Sequence, residues 1–322
     1  MHRRSFITLT LAVASGSMAR AATDKVYRLG TLIAGPPIVP ENGRGAILAA
    51  ELGKLGYAQG KNLVFEPRGG NVELVPKLAE ELKAANVDAI VTLSYPAAAA
   101  AKATGVATVI ASGSGDPVAT GLVQSLAHPG GNVTGIADDA ATLSTKRLSL
   151  LKAMVPKLRR VAMLWNKDDL GMSLRYQASA RAAQGIDVEV QPLGVREPDD
   201  FNDAFAAMTR EKPDAILMVS DALTILNRKR VIDFAAEHRL PAIYEQDMIV
   251  RDGGLMSYGA DPNESMARAA ALVSQIFKGA KPADLPVEEP TRYLFVVNLK
   301  TAQSIGLDVP PNVSALADEV IE

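Results

Sequence analysis

The feature that most constrains the fold is an alternation of short β-rich runs with helical patterns, which the chain carries through twice. In the first half, strands are predicted at Val26–Ile33, Asn62–Phe65, Asp88–Leu93 and Ala107–Ala111. The helices between them are predicted at Glu41–Leu55, Glu73–Ala85 and Pro96–Ala103. Strands and helices that alternate in this way predict a parallel sheet covered by helices on both faces.

The same alternation restarts near residue 160. Strands are predicted at Arg160–Trp165, Asp187–Gln191, Asp214–Val219 and Ala242–Tyr244, and helices at Met172–Ala183, Asp199–Arg210 and Leu223–His238. A short echo supports two similar halves, since the run Val87–Val91 recurs in similar form as Pro213–Leu217. With 322 residues, the chain also exceeds what a single hydrophobic core usually encloses. The predicted fold class is therefore α/β, with two Rossmann-like lobes built on parallel sheets.

A third section follows the second half. It contains a strand and a helix within Gly254–Lys278, a proline-punctuated loop at Pro282–Pro290, a strand at Tyr293–Val297 and a helix at Leu299–Ile305. Patterning alone does not say to which lobe this section belongs.

The first 21 residues have the composition of an export signal. Arg3 and Arg4 form a basic start, Phe6–Ala14 an apolar core, and Ala19–Ala21 a small-x-small cleavage site. The apolar core is too short to span a bilayer. Paired arginines fit either the general secretory route or the twin-arginine route. We therefore expect a cleaved signal peptide and a periplasmic protein.

The composition excludes several classes of site. The chain has no cysteine, which excludes disulfides, thiolate metal sites and a lipid-modified cysteine. It has 34 Lys and Arg against 36 Asp and Glu, without basic clusters, so nucleic acid is not an expected partner. His128 and His238, the histidines beyond the leader, cannot assemble a metal cluster. No cofactor is expected.

The motifs of common enzyme classes are incomplete. Gly113 and Gly115 lack the third glycine of a dinucleotide fingerprint, because Val118 stands in its place. The run Gly56–Asn62 is one residue short of a phosphate-binding loop and lacks its Ser or Thr. The chain is therefore predicted not to be an enzyme.

Several separated motifs together resemble one family. They are Gly115–Val118, Leu122–Gly135, Lys146–Leu148, Arg160–Asn166, Gly253–Gly259, Lys278–Glu288 and Ala317–Glu322. In order and spacing they are similar to the ABC-transporter substrate-binding proteins of the tryptophan/tyrosine-type family. The resemblance covers nearly the whole chain after the leader. One departure is Lys167, which follows Asn166 where related sequences typically have proline.

The resemblance implies a type I periplasmic binding protein, whose two lobes are joined by a multi-strand hinge and close around a small ligand. It also implies that the third section returns to the first lobe and then crosses back. Lobe one would then comprise residues 22–138 and 254–282, and lobe two residues 139–253 and 283–322. The implied partners are an ABC permease and an ATPase, and the protein is expected to be a monomer.

In a doubly wound sheet, ligands lie beyond the carboxyl ends of the strands. In the first half these positions hold Ser94, Tyr95, Ser112, Ser114 and Asp116. Hydroxyls and helix N-terminal N–H groups of this kind can hold a carboxylate. The alternative is that Ser94, Ser114 and Asp116 cap helices. For Asp116, capping is the stronger interpretation, because its carboxylate would repel an anionic ligand group.

The corresponding positions of the second half hold further polar and aromatic residues. They are Trp165, Asn166, Ser220, Asp221, Tyr244 and Glu245. The carboxylates of Asp221 and Glu245 could neutralise a ligand ammonium, and helix capping or surface pairing is the alternative. Donors on one lobe that face carboxylates on the other suit a zwitterion, so we expect an amino acid as ligand.

Four aromatic residues, Tyr95, Trp165, Tyr244 and Tyr258, fall at predicted strand ends. They could form the wall of a flat pocket for an aromatic ring, or they could pack at the edge of the core. An aromatic or a branched amino acid is therefore the expected ligand.

The predicted function is that of the periplasmic solute-binding component of an ABC importer. One alternative is a sensor subunit that presents its closed form to a membrane receptor. Another is a periplasmic enzyme on the same scaffold, with Asp221 or Glu245 as a base.

Overall fold

The computed structural model describes residues 25–41, 43–137 and 140–322. The predicted signal peptide lies outside the described residues, and so does the predicted lobe boundary at Asp138 and Asp139. Within these ranges, no helix combines the length and the apolar composition that a membrane span requires.

The first lobe is built on a five-stranded sheet. Its strands are β1 (Tyr27–Ala34), β2 (Leu63–Gly70), β3 (Ala89–Thr92), β4 (Thr108–Ile110) and β5 (Val133–Gly135), in the order β2-β1-β3-β4-β5. All neighbouring strands are parallel. The helices of this half are α1 (Gly43–Lys54), α2 (Val75–Ala84) and α3 (Tyr95–Thr104). Every residue of β3 is buried, as expected for a central strand with helices on both faces.

The second lobe is built on a seven-stranded sheet. Its strands are β6 (Arg160–Asn166), β7 (Glu189–Val195), β8 (Ala215–Met218), β9 (Ala242–Tyr244), β10 (Met256–Ala260), β11 (Tyr293–Asn298) and β12 (Glu319–Ile321). Its helices up to β10 are α4 (Ala140–Met154), α5 (Leu170–Gln184), α6 (Asp200–Glu211), α7 (Ala222–Leu226), α8 (Arg228–Glu237) and α9 (Asp247–Arg251). The strand order is β12-β11-β10-β9-β8-β6-β7, and only β10 and β11 pair antiparallel.

The two lobes share one strand order. In lobe two the order β7-β6-β8-β9-β10 repeats the order β2-β1-β3-β4-β5 of lobe one. The sequence echo falls on β3 and β8, which are equivalent strands in the two sheets. The prediction of two similar halves is confirmed.

The remaining elements show where the chain crosses between the lobes. Helix α10 (Pro262–Phe277) packs Met266, Ala269 and Val273 into the lobe-one core. The chain then stays on lobe one as far as Glu288, whose N–H donates to the Gly135 carbonyl at 2.8 Å. It returns to lobe two through β11, followed by α11 (Leu299–Ser304) and α12 (Pro311–Leu316).

These positions correct the predicted lobe boundaries. The chain was predicted to return to lobe one at residue 254. However, β10 pairs with β9 and β11 in the lobe-two sheet. The second crossing therefore follows Ala260. The return to lobe two was predicted at residue 283, whereas backbone hydrogen bonds hold the chain on lobe one as far as Glu288. The described chain passes between the lobes after Ala137, after Ala260 and after Glu288.

Two strands are longer than predicted, and each continues through a proline that lies beyond its predicted end. Strand β2 runs past Pro67 and β7 past Pro192. Both lie at a sheet edge, where the missing N–H leaves no ladder partner unsatisfied. The helix predicted at Leu223–His238 is in fact two helices, because Asn227 leaves the helical region (φ −97°, ψ 6°) between α7 and α8.

Candidate functional site

A cavity of about 290 Å³ lies between the two lobes. Lobe one contributes Ile33–Pro36 after β1, Leu93 and Ser94 after β3, and Ser112 and Gly113 after β4. Lobe two contributes Ser220–Ala222 after β8, Glu245 and Gln246 after β9, and Gly259 and Ala260 of β10. The cavity thus lies at the carboxyl ends of both sheets, beside the β1/β3 position in lobe one where the strand order reverses. This is where open parallel sheets bind ligands.

One arginine side chain bridges the lobes at the cavity. Arg44, in the first turn of α1, donates one guanidinium nitrogen to Ser112 Oγ at 3.2 Å. The other terminal nitrogen donates to Gln246 Oε1 in lobe two at 3.1 Å. The same guanidinium therefore orders a lobe-one loop and connects it to the end of β9.

The lobes also touch where side chains are absent. A Cβ built on Gly171, at the start of α5, would lie 2.8 Å from the Ser114 carbonyl oxygen in lobe one. A Cβ built on Gly35 would lie 3.6 Å from the Cβ of Ala222. The backbones of the two lobes are therefore in close contact beside the cavity.

A buried charge network forms the lobe-two floor of the cavity. Arg147 Nη1 donates to Glu245 Oε1 at 2.8 Å, and Arg175 Nη1 donates to Glu245 Oε2 at 2.5 Å. The three side chains are only 4%, 8% and 5% exposed, in the order Arg147, Arg175, Glu245. The Ser220 N–H also donates to Glu245 Oε2, and Arg147 Nε donates to the Tyr258 carbonyl.

Glu245 therefore has a different role from the predicted one. Burial alone would raise the pKa of its carboxyl, but the charges of Arg147 and Arg175 outweigh burial and hold this pKa below its usual value. Both oxygens already accept from a guanidinium. The expectation that Glu245 neutralises a ligand ammonium is corrected: it is the counter-ion that keeps two arginines in the floor.

Asp221 is the carboxylate that lies at the cavity surface. It is the N-cap of α7, where Oδ1 accepts from the Thr224 N–H at 2.9 Å, and it is half-buried. Its Oδ2 accepts from Asn166 Nδ2 at 2.6 Å. Asp221 thus caps α7 and also lines the cavity. Asn166 does not line the cavity, and this hydrogen bond connects it to Asp221.

A second acid, Asp169, is buried behind Asp221. Burial, together with the nearby charge of Asp221, raises its pKa to about 6, despite the hydrogen bond from the Met172 N–H and the charge of Arg175. Asp169 caps α5, the helix whose start touches lobe one at Gly171.

The predicted serines divide into two groups. Ser94 and Ser112 line the lobe-one wall, and Ser94 also caps α3 by accepting from the Ala97 N–H at 3.3 Å. Ser220 lines the opposite wall, with its hydroxyl buried and without a hydrogen-bond partner. Ser114 is fully buried and does not line the cavity; its hydroxyl donates to the Gly115 carbonyl.

Asp116 does not line the cavity, and it does not cap a helix as predicted, because the residues that follow it form a turn. Its Oδ1 accepts from the N–H groups of Val118 and Ala119, and its side chain is exposed away from the cavity.

The aromatic wall predicted from the strand ends is wrong. Tyr95 packs against the apolar cluster around Ile110, and Trp165 stacks on Tyr176 with ring centroids 3.7 Å apart. Tyr244 is fully buried in the lobe-two core, and Tyr258 stacks on Tyr293. None of these four rings lines the cleft, because each packs against other side chains of its own lobe.

The sequence interpretation missed the arginines. Arg44, Arg147 and Arg175 lie on helices, and only positions after strands had been considered. A signal was present in α4, where Arg147 is spaced four residues from Leu143 and from Leu151 on the buried face. A charged residue within an apolar stripe at this spacing indicates a buried ion pair or a site.

Among the residues that the structure describes, no group of three or more His, Asp or Glu side chains is placed to hold a metal ion.

Comparisons with known proteins agree with this architecture. A sequence profile of the family described as ABC transporter substrate binding protein matches residues 43–321. A curated protein of Clostridioides difficile (strain R20291), named tyrosine-binding protein, is 26% identical over 274 residues, which are 84% of this chain and 78% of that protein.

Solved structures resemble the whole described molecule. A conserved domain protein from Vibrio cholerae is 23% identical with a TM-score of 0.85, covering 92% of this chain and 100% of that one. An ABC domain from Streptococcus pneumonia in complex with L-Trp is 24% identical with a TM-score of 0.83 and the same coverage. The predicted fold, two α/β lobes of the type I periplasmic binding protein kind, is confirmed.

Proposed function

Since the chain belongs to the family of ABC transporter substrate-binding proteins, we propose that it captures a small carboxylate-bearing solute in the interlobe cleft for an ABC importer. The observation that carries the proposal is the cavity itself, which both lobes form at the carboxyl ends of their sheets. A cavity closed by two lobes serves a protein that holds a solute and later releases it.

The walls of the cavity offer groups for a carboxylate. The ten-residue helix α3 begins at the cavity with Ser94 as its cap, so its N-terminal N–H groups favour an anion there. Ser112 lies beside it, and the guanidinium groups of Arg147 and Arg175 line the opposite side. Arginine suits planar, bidentate recognition of a carboxylate.

Asp221 supports an amino acid as the ligand. Its carboxylate lies at the cavity and has lone pairs beyond those used by Asn166 and Thr224. A ligand ammonium could donate to these remaining lone pairs. Two relatives point the same way, one named for tyrosine and one solved with L-Trp.

Capture would proceed by hinge closure. The bridge from Arg44 to Gln246 and the contact of Gly171 with Ser114 both join the lobes, so they exist only when the lobes are closed. A ligand that contacts both walls gains its full set of contacts in that state, and it therefore shifts the population towards closure.

The predicted leader supports a periplasmic location. A cleaved export signal and the absence of cysteine fit a protein that is free in the periplasm. We infer a monomer that docks, when loaded, on the permease of an importer whose ATPase drives transport.

A catalytic function with Glu245 as the base is not favoured. A base on Glu245 would need a free carboxylate oxygen, and both of its oxygens accept from arginine.

Isothermal titration of the purified chain with amino acids tests the proposal. We expect at least one α-amino acid to bind with a Kd in the micromolar range or below, and to be recovered unchanged. Absence of binding by every amino acid and carboxylic acid tested would contradict the proposal, as would any product formed from the bound compound.

A further inference from the structure

The cavity lining selects among the carboxylate-bearing solutes. Building on the proposed function, we propose that the ligand is a small acid with a branched aliphatic side chain, and not one with an aromatic ring.

Among the described residues, no Phe, Tyr or Trp side chain lines the cavity. The larger apolar side chains that line it are the aliphatic or thioether side chains of Ile33, Leu93, Leu143, Ile225, Leu226 and Met248. Sites for aromatic rings commonly present a flat aromatic partner for stacking or edge contact. Methyl and thioether groups instead form an uneven apolar surface, against which a branched aliphatic side chain can pack in van der Waals contact.

The polarity of the cavity changes from floor to mouth. The charged floor is nearly inaccessible, with Arg147 and Arg175 at 4% and 8% side-chain exposure. At the mouth, Leu226 is 61% exposed and Met248 37% exposed. A ligand with its carboxylate at the floor would place its side chain against these two residues and cover apolar surface that otherwise faces water.

The size of the cavity agrees with this assignment. Its volume of about 290 Å³ lies at the lower end of the range of roughly 300–1,000 Å³ that is usual for ligand sites. A compact acid fills such a space between Ile33 on one lobe and Ile225 on the other.

Titration of a matched series tests the assignment directly. The ligands are L-leucine, L-isoleucine, L-phenylalanine, L-tyrosine and L-tryptophan, together with 4-methylpentanoate, which has the branched tail of leucine but no ammonium. We expect L-leucine or L-isoleucine to bind at least about tenfold more tightly than each aromatic amino acid, since one methylene in an apolar pocket discriminates by roughly 10–200-fold.

The outcomes separate this inference from the proposed function. Tighter binding of any aromatic amino acid overturns the aliphatic assignment and leaves the solute-binding function intact. Binding of 4-methylpentanoate with the affinity of L-leucine supports the aliphatic tail and removes the need for an ammonium. If no acid of the series binds while another amino acid or carboxylic acid does, the aliphatic assignment is overturned and the solute-binding function stands.

Variants at the mouth give a second test. Leu226→Ala and Met248→Ala change exposed side chains, so both should fold, and each should weaken L-leucine by about tenfold or more. Leu316→Ala is the matched control, because Leu316 is 56% exposed and lies outside the cavity. Equal affinity of L-leucine for the two mouth variants and the control would overturn the placement of the side chain.

Discussion

At the scale of single residues, the carboxylates around the cleft differ in what remains available to a ligand. Glu245 is occupied by two guanidinium groups, Asp169 is buried behind the wall, and Asp221 lies at the cavity surface. Of these three, Asp221 is therefore the one that can meet an ammonium.

Replacing Asp221 with Asn tests this role. Asparagine is as good an N-cap as aspartate, so α7 should keep its start while the charge is removed. We expect the affinity for L-leucine to fall by about 2–5 kcal/mol, as for the loss of a buried charged contact. The affinity for 4-methylpentanoate, which has no ammonium, should not fall. Equal titration curves of wild type and variant with L-leucine would remove Asp221 from the site.

Asp169 predicts a pH dependence of stability. Because its folded pKa of about 6 lies above the usual 3.8, the folded state binds this proton more tightly. The stability that the group contributes is present below pH 3.8 and is lost as the pH rises through 6. Asp169→Asn keeps a capping side chain and removes the titration. Its unfolding free energy should rise relative to wild type between pH 4 and 7, by up to about 3 kcal/mol, since one pKa unit corresponds to about 1.4 kcal/mol.

Urea unfolding of both proteins at several pH values measures this difference. Stability curves of Asp169→Asn and wild type that run parallel from pH 4 to pH 7 would contradict the assignment.

The residues of the site were only partly predictable. The positions of Ser94, Ser112, Ser220 and Asp221 followed from the rule that ligands lie beyond strand ends. The positions of the arginines did not follow from this rule. Whether a residue on a helix lies at the cleft depends on how that helix packs on the sheet, and the local sequence does not determine this. The pairing of Arg147 with Glu245 joins residues that are far apart in sequence, and no local pattern specifies it.

At the scale of elements, the strands and helices were predictable where local and tertiary signals agree. Edge strands were the exception. The predicted ends of two strands fall before Pro67 and Pro192, but β2 and β7 run through these prolines, because their position at the sheet edges removes the cost of a missing donor. Which strand lies at an edge is decided by the whole sheet, and the sequence of the strand does not reveal it.

The start of α5 predicts a variant that disturbs closure alone. Gly171 is helical, and the atoms nearest to an added methyl group belong to the Ser114 carbonyl and to Tyr95, both in lobe one. Gly171→Ala should therefore leave the fold of lobe two intact, since alanine is the better helix former. Overpacking of the contact between lobes should weaken L-leucine binding by about 1–3 kcal/mol.

Gly185→Ala, at the other end of the same helix, is the control. A methyl group there makes only ordinary contacts, 3.4 Å from the Ala182 carbonyl, so both affinity and thermal stability should stay at the wild-type level. Wild-type affinity of Gly171→Ala for L-leucine would show that this contact does not take part in closure.

At the scale of the whole molecule, the sequence predicted two similar lobes, and the shared strand order bears this out. The crossings between the lobes were less accessible. Helix α10 has an apolar face that either lobe could bury, and its packing against α1, β3 and β4 assigns it to lobe one. The chain therefore passes between the lobes after Ala137, Ala260 and Glu288, and the proposed closure would bend it at these three places.

In the proposed function, the two lobes close on a solute and release it chemically unchanged. Small-angle scattering of the chain with and without saturating amounts of each amino acid in the series measures closure most directly. We expect the radius of gyration to fall with L-leucine or L-isoleucine, to fall less for Gly171→Ala, and the amino acid to be recovered intact. A radius of gyration that stays constant with every acid of the series, or chemical conversion of the one that binds, would contradict the claim.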